Sequence, residues 1–208
     1  MESDFNELMN RLSENARFAL QKADIYSKQY NSGYMGTEHI LLGMLDQEAS
    51  TAAKILRKFD VDLARAEKAL GQEASEVAPN GAMAMMSLSE AAVLTLRMAD
   101  SYAQGKGMTV VGTEYLLYAL VCQPKSRGTV LLEKMGVNVE EVLDVVEAEL
   151  DKQVEHERNQ ERKKEFKRSA QLKWLKRYGT DLTELAKDDK LDAVIGRDRE
   201  IERTVTVL

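Results

Sequence analysis

The stretches GTEHILLGML at residues 36–45 and GTEYLLYALV at residues 112–121 are two versions of one motif, separated by 76 residues. The same spacing relates the tripeptide Leu-Ser-Glu at residues 12–14 to the identical tripeptide at residues 88–90. One register kept over about sixty residues predicts two copies of a single structural unit.

We place the two copies at residues 11–71 and 87–150. A duplicated unit packs most simply against its copy about a pseudo-twofold axis, which creates paired, equivalent surface sites. Paired sites favour a binding module over a single catalytic cleft. The predicted domain therefore covers residues 1–150, followed by a charged linker at 151–178 and a further segment at 179–208.

The composition predicts an all-α fold. Ala, Leu, Glu, Lys and Met, all good helix formers, are frequent, whereas proline occurs only as Pro79 and Pro124. The single cysteine, Cys122, allows no intramolecular disulfide, which favours a reducing, cytoplasmic setting. No apolar run is long enough to cross a bilayer, so we expect no membrane partner.

The charges are unevenly distributed along the chain. Residues 1–150 carry 14 Lys and Arg against 22 Asp and Glu, which makes nucleic acid an unfavourable partner because its phosphates would be repelled. Residues 151–178 carry 10 Lys and Arg against 5 Asp and Glu, with few apolar residues between them. This pattern predicts a solvated helical linker after the second repeat.

Each repeat is predicted to contain four helices. They are expected to begin at Ser13, Thr37, Thr51 and Asp62 in the first copy, and at Ser89, Thr113, Arg127 and Asn138 in the second. Ser and Thr are favourable N-caps because the hydroxyl oxygen accepts a hydrogen bond from a free backbone N–H of the first turn. Asp60 and Gly136 suit the left-handed position that ends the third helix.

The two glutamates of the repeated motif, Glu38 and Glu114, allow a structural and a functional interpretation. Negative charge at a helix start is favoured by the helix dipole, which would explain both residues without a ligand. In the functional interpretation, free N–H groups at a helix N-terminus bind an anion such as phosphate, and a nearby carboxylate pairs with a guanidinium. Such a site would bind a ligand that is anionic at one end and cationic behind it.

No catalytic or metal-binding arrangement is convincing. His39 has Tyr115 as its duplicate, so we interpret it as a packing or hydrogen-bonding residue rather than as a metal ligand or general base. No Walker A sequence is present, so the chain as given should neither bind a cofactor nor hydrolyse ATP. An enzyme acting through Glu38 and Glu114 is a weak alternative, because equivalent residues of symmetric copies rarely share one active site.

The methionines Met83, Met85 and Met86 follow the turn-like residues 78–81 between the repeats. They are interpreted either as side chains that fill gaps at the repeat junction or as an adaptable hydrophobic binding surface.

The repeated motif, with Leu56-x-Lys58 and Leu132-x-Lys134 after it, resembles the double N-terminal repeat of Clp unfoldases. The tail from Asp192 to Ile201, DAVIGRDREI, looks like the start of the first AAA+ module of the same proteins, and the order of segments is most similar to the ClpC type. The resemblance implies a docking domain for adaptor and substrate proteins. It also implies that ATP, magnesium, ring assembly and a ClpP-type peptidase partner belong to the full-length protein.

The resemblance also implies which residues bind a ligand. Relatives of the ClpC type bind arginine-phosphorylated proteins, and the matching positions are Ser13 and Ser89 for the phosphate and Glu38 and Glu114 for the guanidinium. Arg11 would add positive charge in the first repeat.

Two other assignments stay open from the sequence. One is the N-terminal domain of a ClpB-type disaggregase. The other is a freestanding helical interaction module without an ATPase, against which the tail at residues 179–208 argues.

Overall fold

A computed structural model describes the backbone of residues 2–71 and 88–178, and the side chains of residues 6–71, 88–164 and 166. Within these ranges the secondary structure is helical apart from two isolated β-bridges. The helices are α1 (Glu2–Arg11), α2 (Glu14–Gln29), α3 (Thr37–Leu45), α4 (Thr51–Arg57), α5 (Leu63–Gly71), α6 (Glu90–Gly105), α7 (Thr113–Val121), α8 (Arg127–Lys134) and α9 (Val139–Tyr178).

The predicted duplication is confirmed, with α2–α5 as the first copy and α6–α9 as the second. The two β-bridges show the pseudo-twofold relation directly. Leu12 pairs with Val111, and Leu88 pairs with Met35, so each bridge joins the same two positions of opposite copies. The strand-like segment before the first helix of each repeat therefore lies beside the segment before the second helix of the other repeat.

The helix ends follow from local chemistry, as the sequence predicts. The hydroxyl oxygens of Ser13 and Ser89 accept hydrogen bonds from the backbone N–H groups of Ala16 and Ala92, each at 3.1 Å. Asp60 adopts a φ of 57° and Gly136 a φ of 77°, which are the predicted left-handed positions after α4 and α8.

The starts of α3 and α7 differ from the prediction by one residue. The N-caps are Gly36 and Gly112 in place of Thr37 and Thr113. The threonine hydroxyls are used between the repeats, which is why they do not cap their own helices. Thr37 Oγ1 accepts a hydrogen bond from the N–H of Gly128 at 2.9 Å, and Thr113 Oγ1 accepts one from Ala52 at 3.3 Å.

The core lies around α3 and α7. All nine residues of α3 are buried, and only Tyr118 of α7 retains appreciable exposure. Apolar side chains of both repeats form one continuous buried cluster, so the repeats share a single core rather than having one each. Within the described residues, α3 packs on α8 and α7 packs on α4, which places the starts of these four helices close together.

Two elements extend beyond the predicted repeats. α1 precedes the first copy and contacts α6, with Leu8 buried against the core. α9 is a continuous helix of 40 residues, and its side chains from Glu155 to Lys164 are exposed, as expected for a solvated charged helix. No break in α9 marks the predicted boundary at residue 150.

The chain divides into two compact units, Met1–Glu157 and Arg158–Leu208. Of the second unit, the structure describes the backbone of α9 to Tyr178 and the side chains of residues 158–164 and 166. The methionines of the repeat junction and the AAA+-like tail at residues 179–208 lie outside the described residues. Among the described helices, none combines the length and apolar character needed to cross a membrane.

Candidate functional site

The β-bridges bring the predicted site residues together across the repeats. The N–H of Ser13 donates to the carbonyl of Val111 at 2.9 Å, which places Ser13 beside the segment that leads to Glu114. In the same way, the N–H of Ser89 donates to the carbonyl of Met35 at 3.0 Å, beside the segment that leads to Glu38. Each candidate site thus combines a serine of one repeat with a glutamate of the other.

The Ser13–Glu114 pair lines an open pocket of about 300 Å³. Ser13 and Asn15 at the start of α2 border the pocket together with Glu114 and Tyr115 at the start of α7. The remaining walls are Thr51, Met108, Val110, Gly112, Thr113, Gln153 and Glu157. Because the first N–H groups of a helix have no intrahelical partner, the α2 end offers donors to an anion.

The carboxylate of Glu114 borders this pocket although the residue is only 8% exposed. Its side chain folds back over the N-cap of α7. The carboxylate lies so close to Gly112 that a Cβ at this position would overlap it. Glycine at this position therefore makes room for the acid. The same relation holds between Gly36 and Glu38.

Burial raises the pKa of Glu114 above its usual value of 4.5. Its own backbone N–H and hydrogen bonds from the side chains of Gln153, Thr113 and Thr51 oppose this shift. These groups are electrically neutral, so within the described residues the carboxylate is solvated by dipoles rather than neutralised by a cation. Glu157 adds a second acidic residue to the pocket wall. The site is therefore suited to a cationic group.

Tyr115, which also borders the pocket, is almost completely buried. The residue is 1% exposed, and its buried hydroxyl has no hydrogen-bond partner in the described part of the chain. A buried hydroxyl without a partner costs free energy, and the described residues do not offset this cost.

The Ser89–Glu38 pair has a different electrostatic environment. Glu38 is 1% exposed, and the Nη1 atom of Arg127 lies 3.2 Å from its Oε1 atom. Burial raises the pKa of Glu38, while its own backbone N–H and the positive charge of Arg127 act in the opposite direction. A guanidinium of the chain itself is thus present at this carboxylate.

Arg11 is not among the residues that line the pocket, but it contacts the loop that does. Its Nη1 atom forms an ion pair with Asp100 at 2.8 Å, and its Nη2 and Nε atoms donate to the carbonyls of Met108 and Thr109 at 3.0 and 3.3 Å. These contacts hold the end of α1 against the loop before α7. Arg11 therefore holds the loop that carries Met108 and Val110, and its positive charge at the pocket stays a prediction.

His39 has the structural role that the sequence predicts. Its Nδ1 atom accepts a hydrogen bond from the N–H of Gly36 at 3.0 Å, and its Nε2 atom lies 3.2 Å from the hydroxyl of Ser32. Burial lowers its pKa to about 4, so the ring is neutral at pH 7. A neutral ring is required here, because a protonated Nδ1 could not accept the hydrogen bond from Gly36.

Four contributors to the two sites were not identified from the sequence: Thr51, Tyr115, Gln153 and Arg127. Gln153 lies in the segment predicted as the linker, and the sequence indicates Tyr115 only as the duplicate of His39. For Thr51 and Arg127 it predicts only helix starts. A signal was available, since they are duplicates of each other at the 76-residue spacing but differ in charge.

The chain belongs to the Clp repeat (R) N-terminal domain family, whose model matches residues 11–94 and 87–177. These two matches correspond to the two structural copies. The match also covers most of α9.

Two similar relatives come from different classes of Clp ATPase. The chain is 29% identical over 203 residues to the ATP-dependent Clp protease ATP-binding subunit ClpC of Staphylococcus saprophyticus, covering 97% of this chain and 24% of that protein. It is 29% identical over 205 residues to the chaperone protein ClpB of Agrobacterium fabrum, covering 96% of this chain and 22% of that protein. The chain thus spans about a quarter of the length of such relatives and resembles their N-terminal region.

Solved structures share the fold. The N-terminal domain of the chaperone ClpD from Arabidopsis thaliana matches with a TM-score of 0.58 and 16% identity, over 69% of this chain and 96% of that domain. A ClpV N-domain in complex with a VipB peptide matches with a TM-score of 0.50 and 17% identity, over 65% of this chain and 84% of that one.

Proposed function

We propose that this chain is the substrate- and adaptor-docking domain of an ATP-driven Clp unfoldase. In this proposal the pocket between Ser13 and Glu114 binds an arginine side chain, including phosphorylated arginine, of a protein destined for unfolding. The observation that carries the proposal is the nearly buried carboxylate of Glu114, which borders an open pocket opposite a helix N-terminus. The carboxylate would pair with the guanidinium, and Ser13 with the first turn of α2 would bind the phosphate.

The proposal also places the domain in a longer protein of the ClpC type. ATP with magnesium, ring assembly and delivery to a ClpP-type peptidase would belong to the other modules of that protein. The family match and the ClpC relative support this assignment, and the peptide bound to a ClpV N-domain of the same fold supports peptide docking.

A ClpB-type disaggregase is the second candidate, because the ClpB relative matches at the same identity as ClpC. The full-length parent protein separates the two. Mixed with a ClpP-type peptidase and ATP, a ClpC-type protein should degrade a docked substrate, whereas a disaggregase should release it intact.

Isothermal titration of the chain with phosphoarginine, and separately with arginine, tests the pocket. We expect saturable binding of phosphoarginine that Glu114→Gln weakens at least about tenfold, since a charge-assisted pair contributes about 1.5–3 kcal/mol. Glu133→Gln, a change of the same kind at an exposed position of α8, is the matched control and should leave affinity unchanged.

The pH dependence provides a second readout of the same carboxylate. Since burial raises the pKa of Glu114 and a guanidinium requires the ionised form, affinity should begin to fall on acidification at a pH above the usual value of 4.5. Saturable binding that is insensitive to Glu114→Gln would contradict the pocket assignment. Absence of saturable binding would remove phosphorylated arginine as the ligand.

A further inference from the structure

We infer that the two pseudo-equivalent sites are functionally unequal: Arg127 acts as an internal ligand of the Ser89–Glu38 site, so that only the Ser13–Glu114 site binds an external guanidinium. This inference rests on the proposed function of the Ser13–Glu114 pocket. It concerns how many arginine side chains one domain can dock at a time.

The asymmetry originates in one pair of duplicated positions. Thr51 and Arg127 are separated by 76 residues, and each is the first residue of its helix, after the serine N-caps Ser50 and Ser126. The repeat therefore presents a small neutral side chain in one copy and a long cationic side chain in the other, at the same place in the fold.

The pseudo-twofold packing directs both residues toward the glutamate of the opposite repeat. The hydroxyl oxygen of Thr113, the neighbour of Glu114, accepts a hydrogen bond from the N–H of Ala52, the residue that follows Thr51. The hydroxyl oxygen of Thr37, the neighbour of Glu38, accepts a hydrogen bond from the N–H of Gly128, the residue that follows Arg127. These two hydrogen bonds hold the start of α4 against the start of α7, and the start of α8 against the start of α3.

The consequence differs between the two sites because the side chains differ. The hydroxyl of Thr51 hydrogen-bonds with Glu114 and leaves the pocket open. The guanidinium of Arg127 forms an ion pair with the Glu38 carboxylate, with Nη1 3.2 Å from Oε1, and Nη1 donates a hydrogen bond to the hydroxyl of Tyr34 at 3.4 Å. Arg127 thus provides at Glu38 the group that an arginine ligand would bring.

An external guanidinium gains little at the occupied site. Binding at Glu38 requires displacement of Arg127, so one guanidinium–carboxylate pair is exchanged for another of the same kind. At Glu114, in contrast, binding creates an ion pair where, in the described part of the chain, neutral dipoles stabilise the acid. The difference in affinity between the sites therefore follows from the charge of one residue at the helix start.

Exchanging the two duplicated residues tests the inference. Phosphoarginine titration of the chain should give one site, which Glu114→Gln weakens at least about tenfold and Glu38→Gln leaves unchanged. Arg127→Thr should raise the number of sites to two, and Thr51→Arg should reduce it to zero. Lys125→Thr removes an exposed positive charge two residues from Arg127 and should leave one site. Thermal unfolding of each variant verifies that the fold is retained.

The outcomes separate this inference from the proposed function. Two sites in the unmodified chain, or a single site in both the unmodified chain and a folded Arg127→Thr variant, would overturn the inference while leaving arginine docking intact. Absence of saturable binding in the unmodified chain would overturn the proposed function, and the inference with it. If Thr51→Arg does not fold, the gain of a second site in Arg127→Thr still decides the inference.

Discussion

At the scale of single residues, the repeated Gly-Thr-Glu motif is explained by three different requirements. Gly36 and Gly112 leave room for a folded-back carboxylate that a Cβ would overlap. Thr37 and Thr113 offer hydroxyls to the opposite repeat. The glutamate is the residue to which we propose a functional role, because its carboxylate is buried in both copies but has different neighbours in each.

His39 provides a prediction at this scale. The pKa of His39 is about 4 in the folded chain, below the usual value of 6.5. Between these two values the histidine is protonated in the unfolded chain but neutral in the folded chain. The free energy of unfolding should therefore fall by about 2 kcal/mol through this residue between pH 7.5 and pH 5. Urea unfolding of the chain and of His39→Asn at both pH values measures this contribution.

In His39→Asn the amide oxygen replaces Nδ1 as the acceptor for Gly36, and the titrating group is removed. The raised pKa values of Glu38 and Glu114 act in the opposite direction but are common to both proteins. The comparison therefore isolates the histidine. An equal loss of stability in both proteins would contradict the expected contribution.

At the scale of secondary-structure elements, the interlocked helix starts determine where the sites lie. Side chain–backbone hydrogen bonds join the start of α3 to the start of α8, and the start of α7 to the start of α4. The segments before α2 and α6 pair with the opposite repeat through the β-bridges. Arg11 adds a third connection, because it joins the end of α1 to Asp100 by an ion pair and to the loop before α7 by a hydrogen bond. The pocket walls are consequently drawn from elements far apart in the chain.

Thr37→Val tests the hydrogen bond that joins the starts of α3 and α8. Removal of the hydroxyl leaves the N–H of Gly128 buried without its acceptor, which should lower the free energy of unfolding by about 1–3 kcal/mol. Thr37→Ser keeps the acceptor and should cost less. Because the equivalent hydrogen bond at Thr113 is longer, 3.3 Å against 2.9 Å, Thr113→Val should cost less than Thr37→Val. Equal stability of the valine and serine variants at position 37 in urea unfolding would argue against this role.

At the scale of the whole molecule, the two repeats share a core and exchange hydrogen bonds at symmetric positions, so we expect them to unfold as one cooperative unit. The guanidinium of Arg65 on α5 also donates to the carbonyl of Met135 after α8, at 2.6 Å. Neither repeat buries α3 or α7 without the other.

A fragment comprising residues 1–71 should therefore lack cooperative unfolding. It would expose the faces of α3 and α4 that pack on α8 and α7, and short isolated helices are marginal in water. Circular dichroism with urea titration should show low helicity and no sigmoidal transition for this fragment. Residues 1–157, which comprise the first compact unit, serve as the control and should unfold cooperatively. A cooperative transition for residues 1–71 would show that one repeat is an independent folding unit.

The sequence by itself determined the features that depend on local chemistry. The duplication, the helical class, the serine caps and the left-handed residues at Asp60 and Gly136 are set by periodicity and by backbone preferences within a few residues. The repeat does not predict α1, because α1 lies before the first copy and has no counterpart among the duplicated helix starts.

Only the tertiary structure decided how the candidate residues are combined. Ser13 meets Glu114, and the segment of Ser89 meets that of Glu38, because the β-bridges cross between the repeats, and no spacing within one repeat specifies such a contact. The same packing carries Gln153 from the predicted linker into the pocket and places Arg127 on Glu38. Charge and hydrogen-bonding capacity are properties of a residue, whereas the partner that satisfies them is chosen by the packing of helices distant in the chain.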